Sequence, residues 1–169
     1  MLVDSLRALY AYNRWATEQV FEAAAKVTSE QLAEPGTAGH GSIFDTLFHL
    51  VEVQNRWLKW WDGSMSADAA YVLELDRERI NDLPTLRAEW DVVLSQTGKF
   101  LEGLTDADAG RDYSNTLPNG YEFRVALWKM MFHVANHGTQ HRSEAAAMLS
   151  GFGQSPGTLD QLNFYLMGG

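Results

Sequence analysis

The chain has 169 residues, no cysteine, 46% hydrophobic residues and a net charge of −9. That length and apolar content suit a single domain over 1–169 with a sizeable core. The acidic balance argues against nucleic acid or anionic membrane as a partner, and the missing cysteine excludes disulfides, thiolate metal ligands and a cysteine nucleophile.

Residues 3–27 read as a first helix, capped by Asp4 or Ser5, with Leu6, Leu9, Asn13, Ala16, Val20 and Ala24 recurring at three- and four-residue steps. Early charges and the lack of an uninterrupted apolar run make this N-terminus no signal peptide, and no 18-residue apolar run predicts a membrane span. A cytoplasmic protein is the expectation. Thr28 with Gln31 is a capping box for a short helix.

Residues 35–41 are a loop by composition. Ser42 caps a second helix over 43–61, with Asp45 as a weaker box partner. Trp57, Trp60 and Trp61 cluster near its end. A core edge or dimer surface is expected of them, with the walls of a ligand pocket as the alternative. Residues 63–82 suit a long connection, with room for a helical turn. Pro84 fits the first turn of a third helix, and Leu86, Trp90, Val93, Leu94, Thr97, Phe100, Leu101 and Leu104 form its apolar stripe.

Thr105 to Pro118 reads as loop, and Tyr113–Leu117 with Tyr121–Val125 form a small hairpin around Pro118-Asn119-Gly120. A fourth helix spans about 127–150, and Thr158 caps a short last one. The fold class is therefore all-α: a four-helix bundle with long inter-helix connections and a short C-terminal helix. The segments 62–83 and 105–124 are the candidate crossovers.

The fourth helix carries His133, His137 and His141 at four-residue spacing. On a helical wheel His141 falls near the centre of the apolar face, His137 roughly 40–50° from it and His133 roughly 80–90° away. Imidazoles at i and i+4 converge on one ion in many helical metal sites. A third ligand must come from elsewhere. His40 lies in a loop, whereas His49 lies mid-helix on the shoulder of the second helix's apolar face and is the better candidate. Three neutral imidazoles suit zinc, nickel, copper or iron and leave positions for water or substrate.

Asn136-His137-Gly138-Thr139-Gln140-His141-Arg142 resembles the N-H-G-T-x-H-R signature of the DinB/YfiT-like metal-binding family. Gly41 to Leu50 resembles that family's second-helix motif, Tyr12-Asn13-Arg14-Trp15 its opening helix, and Gly151 to Pro156 with Asp160 its ending. The resemblance implies a four-helix bundle, often a homodimer, holding nickel or zinc on His49, His137 and His141. The family includes thiol-dependent transferases and isomerases that use bacillithiol, mycothiol or glutathione, so a metal-dependent S-transferase acting on small electrophiles is the leading expectation. A metal-dependent hydrolase and a non-catalytic metal-binding stress-response module are the alternatives. The chain departs from the family's usual H-R-G-Q with His141-Arg142-Ser143-Glu144. Glu144 is expected to be a solvated charge, with orientation of His141 as the alternative. Arg142 is expected in a surface ion pair, with a cofactor carboxylate as the alternative.

Overall fold

The computed structural model describes residues 1–116 and 120–169. Four long helices carry the fold: α1 (Leu2–Ala24), α3 (Ile43–Trp61), α5 (Leu83–Gly103) and α7 (Leu127–Gly151). Between them lie the short helices α2 (Ser29–Ala33), α4 (Ala67–Tyr71) and α6 (Asp106–Gly110) and the strands β1 (Asp112–Thr116) and β2 (Glu122–Ala126), and α8 (Gln161–Leu166) ends the chain. Among the described residues the bundle is all-α apart from this one antiparallel pair, in which Tyr113 pairs with Val125. Of the predicted hairpin around Pro118-Asn119-Gly120, residues 117–119 lie outside the described residues. Among the described residues no helix is long and apolar enough to cross a membrane.

The helix boundaries follow from local chemistry. Thr28 and Gln31 form the capping box that starts α2, and the Ser42 hydroxyl accepts from the Asp45 N–H to start α3. Asp82 and Thr85 form a reciprocal box at α5, with Pro84 in its first turn. Two expectations are corrected. Residues 106–110 form a helix because Thr105 and Asp108 cap it, a box hidden in a polar stretch. The last helix is capped by Asp160 rather than Thr158, its carboxylate accepting from the Asn163 N–H.

Side-chain contacts fix the helix order. The N-terminal part of α1 meets the C-terminal part of α5 through Arg7 and the Leu101 carbonyl, and Phe21 stacks on Trp90 at the other end, so these helices are antiparallel. Tyr10 reaches Met131 and Thr17 reaches Arg142, so α1 and α7 run parallel. His49 meets His141 and Trp57 meets His133, so α3 and α7 are antiparallel. The direction sequence is up-down-down-up. Segment 62–82 therefore travels the length of the bundle between parallel neighbours α3 and α5, and 104–126 carries the chain back from α5 to α7.

The core has two main apolar clusters. Trp90, Leu47, Phe48 and Ile80 belong to one, and Leu6, Met131, Leu127 and Trp61 to the other. A buried polar chain separates them. Asn13 of α1 donates to Gln54 of α3 at 3.0 Å, and Gln54 donates to Thr97 of α5 at 3.4 Å. Arg142 of α7 completes it by donating to Asn13 and Thr17. Every one of these groups is buried and each has a partner, as low-dielectric burial requires.

Candidate metal centre

The antiparallel crossing of α3 and α7 brings His49 against the i, i+4 pair His137 and His141. The Nε2 atoms of His49 and His137 are 3.2 Å apart, and those of His141 and His137 are 3.0 Å apart. Ligands about 2.0–2.1 Å from one zinc ion stand roughly 3.0–3.4 Å from each other. The spacing therefore matches nitrogens that share an ion.

Hydrogen bonding alone leaves this arrangement incomplete. A neutral imidazole has one N–H and one lone pair. Nδ1 of His141 lies 2.6 Å from Oε2 of Glu144. That carboxylate holds the proton on Nδ1 and turns the Nε2 lone pair toward His137. Nε2 of His137 faces two nitrogens, and one proton there serves only one of the two contacts. A cation among the three nitrogens would satisfy all of them.

The electrostatics favour the same state. Burial, then the neighbouring imidazoles, lowers the His49 pKa to about 3. Burial and the nearby His141, His133 and His40 lower that of His137 to about 4. Both rings are neutral at physiological pH, the form that binds metal. For Glu144, burial pushes the pKa up, but hydrogen bonds from Gln140 and His141 outweigh it and hold the carboxyl below its usual range.

The expectation that Glu144 is merely solvated is thus overturned: its carboxylate accepts from His141 and from Gln140 at 3.1 Å. Three residues of helix separate it from His141, the spacing at which side chains meet. The expected surface ion pair of Arg142 is overturned too. Its side chain is 1% exposed and donates to Asn13, Thr17 and Thr139, and its guanidinium lies 5.6 Å from the Tyr12 ring. Burial lowers its pKa to about 10, which leaves it charged at neutral pH. The neighbouring position in the helix, Gly138, has no room for a side chain, since a Cβ there would stand 2.7 Å from Arg142 Nη1. Arg142 thus packs directly behind the ligand pair.

His133 lies outside the three-nitrogen cluster, its ring 6.2 Å from His137 and 5.8 Å from Trp57. His40, set aside as a loop residue, is brought in: its ring stacks on His49 at 3.6 Å. One nitrogen each of His40, His49 and His141 lie within 4.8 Å of one another, so a second possible triad overlaps the first. His137, which that second triad leaves out, is the ring whose Nε2 stands 3.2 Å from His49 and 3.0 Å from His141. The signal that could have found His40 is its setting, Gly39-His40-Gly41 directly before the cap Ser42.

A cavity of about 340 Å³ begins one turn along α3 from His49. Val53, Trp57 and Trp60 of α3, Ala67, Ala70 and Tyr71 of α4, and Asn115 and Phe123 of the hairpin line it. Trp57 and Trp60 pack against the core cluster that holds Trp61, as expected of a core edge, and they line the cavity as well; Trp61 itself is buried, 4% exposed. The walls come from both long excursions, the α4 segment and the hairpin. Arg56 is the one cation in the lining; it pairs with Glu52 at 2.8 Å and donates to the Leu73 carbonyl.

Fold and site together define a four-helix-bundle protein with a group of histidines, His40, His49 and His141, that could hold a metal ion, with His137 beside it. The DinB family model matches residues 1–167, and the chain belongs to that family. It is similar to "Protein DinB" of Bacillus subtilis (strain 168), with 24% identity over 151 residues that cover 88% of this chain and 87% of the relative.

Proposed function

We propose that this chain binds one divalent ion, nickel or zinc, through Nε2 of His49, His137 and His141. On that ion it acts as an S-transferase that joins a low-molecular-weight thiol to a small electrophile. The observation that carries the reading is the convergence of three Nε2 atoms, 3.0 and 3.2 Å apart, one helical turn from an aromatic-walled cavity.

A bound divalent ion would supply one thing, a lowered pKa for a thiol that reaches it. The rest is done by the chain. Glu144 keeps the His141 proton on Nδ1 and fixes the ring. Trp57 and Trp60 receive the apolar body of the electrophile and exclude water from it. In the reaction a sulfur–carbon bond forms, the bond from carbon to its leaving group breaks, and the thiol proton and leaving group depart as acid. With bacillithiol, mycothiol or glutathione as the thiol, the products balance without an oxidant.

The test is conjugation of chlorodinitrobenzene by metal-loaded protein with each of these thiols in turn. Thioether should form with at least one, metal-dependently, and vanish in His137→Ala. No turnover with any thiol on fully loaded protein removes the transferase reading; ester cleavage without thiol would then favour a hydrolase.

A further inference from the structure

His40 has no role in the three-nitrogen site, yet the chain is built to hold it there. Its ring lies 3.6 Å from His49, tilted by 26°, and 5.0 Å from His141. Among the described residues its ring makes no hydrogen bond; only its backbone does, donating to Thr46 Oγ1 at 3.1 Å. Thr46 is fully buried and donates onward to the Ser42 carbonyl at 2.6 Å. The glycines on either side have φ of 65° and 100°, a backbone region that other residues rarely enter. At Gly39 a Cβ would also strike Thr46 Oγ1, at 2.3 Å. The loop is thus shaped to hang an exposed imidazole over the ligand nitrogens.

We propose that His40 is a loop-borne fourth ligand to the divalent ion, displaced when a thiol or water takes its position. The proposal rests on the metal site assigned above to His49, His137 and His141. One nitrogen each of His40, His49 and His141 lie within 4.8 Å of one another, against the roughly 3.3 Å between ligands of one tetrahedral ion. Closing that spread requires a ligand to move, and His40 sits on a loop that can do so without shifting a bundle helix. Three ligands on rigid helices and one on a loop give a closed site at rest and an open position on demand.

The test uses the full chain loaded with cobalt(II) alone, which reports coordination through its visible absorption. Wild type, His40→Ala and His40→Phe are compared by spectrum and by chelator competition. Both variants should lose tetrahedral intensity and bind cobalt about tenfold more weakly, in the range typical of supporting groups around a metal. Added imidazole should restore the His40→Ala spectrum. Phenylalanine keeps the stacked ring without the nitrogens, so a wild-type spectrum and affinity in His40→Phe would overturn the proposal. Unchanged behaviour in His40→Ala would do the same. His137→Ala separates the two readings: if it still holds cobalt the underlying site fails, whereas if it loses cobalt while both His40 variants match wild type, only the fourth ligand fails.

Discussion

Glu144 shows how much one carboxylate decides at this site. It accepts from His141 Nδ1 at 2.6 Å, so His141 presents a lone pair, not a proton, to its neighbours. Glu144→Ala should weaken zinc or nickel binding about 10–100-fold by chelator competition, with Glu144→Gln intermediate because an amide oxygen can still accept. An unchanged affinity in the alanine variant would show that His141 is oriented by packing alone. The imidazoles also make stability depend on pH. His49 and His137 have folded pKa values of about 3 and about 4, below the ordinary 6.5. Between 6.5 and about 4 the unfolded chain therefore binds more protons, and stability rises with pH there. Metal-free protein should lose melting temperature as pH falls from 7.5 to 5, and a His49→Ala/His137→Ala double variant should lose less. Equal losses in the two proteins would mean that these rings titrate normally.

At the level of elements, α7 combines two demands on one helix. One face presents His137 and His141 to α3; the adjoining face sends Arg142 into the polar chain with Asn13 and Thr17. Gly138 is the position where the two meet. Alanine there would gain about 1 kcal/mol of helix propensity. Its Cβ, however, would stand 2.7 Å from Arg142 Nη1 and 2.8 Å from Asn13 Oδ1, both held by hydrogen bonds. Gly138→Ala should therefore destabilise the protein by about 1–3 kcal/mol in denaturant melts; a stabilised variant would mean that the polar chain gives way freely. Much of this element was legible in the sequence. Periodicity fixed the helical phase that turns His137 and His141 inward and leaves His133 at the margin, because an amphipathic stripe reports its own buried side. The Thr28–Gln31 box marked the start of α2, the Ser42 cap that of α3 and Pro84 that of α5. What could not be read was tertiary. Arg142 looks like any surface cation until Asn13 and Thr17 are placed opposite it. His40 belongs to the cluster only because a glycine-flanked loop folds back over α3. Phe123 and Trp60 meet only once the hairpin lies across the bundle.

For the whole molecule, the up-down-down-up order is what makes the site. It sets α3 antiparallel to α7, so His49 meets the pair from the opposite helix, and it leaves two long excursions free to wall the cavity. An ion held on His49, His137 and His141 would tie those helices together across the bundle. Because such an ion binds the folded chain, metal at 100 times its dissociation constant adds about 2.7 kcal/mol. Chelation should then lower the melting temperature by roughly 5–10 °C in a protein of this size. A melting temperature insensitive to chelator, in protein shown to contain metal, would place the ion away from the α3–α7 contact. The most direct measurement is elemental analysis of purified wild type beside His49→Ala, His137→Ala and His141→Ala, each dialysed against the same zinc or nickel buffer. Wild type should retain about one ion per chain and each variant should lose most of it. Full metal content in all three variants would contradict the site.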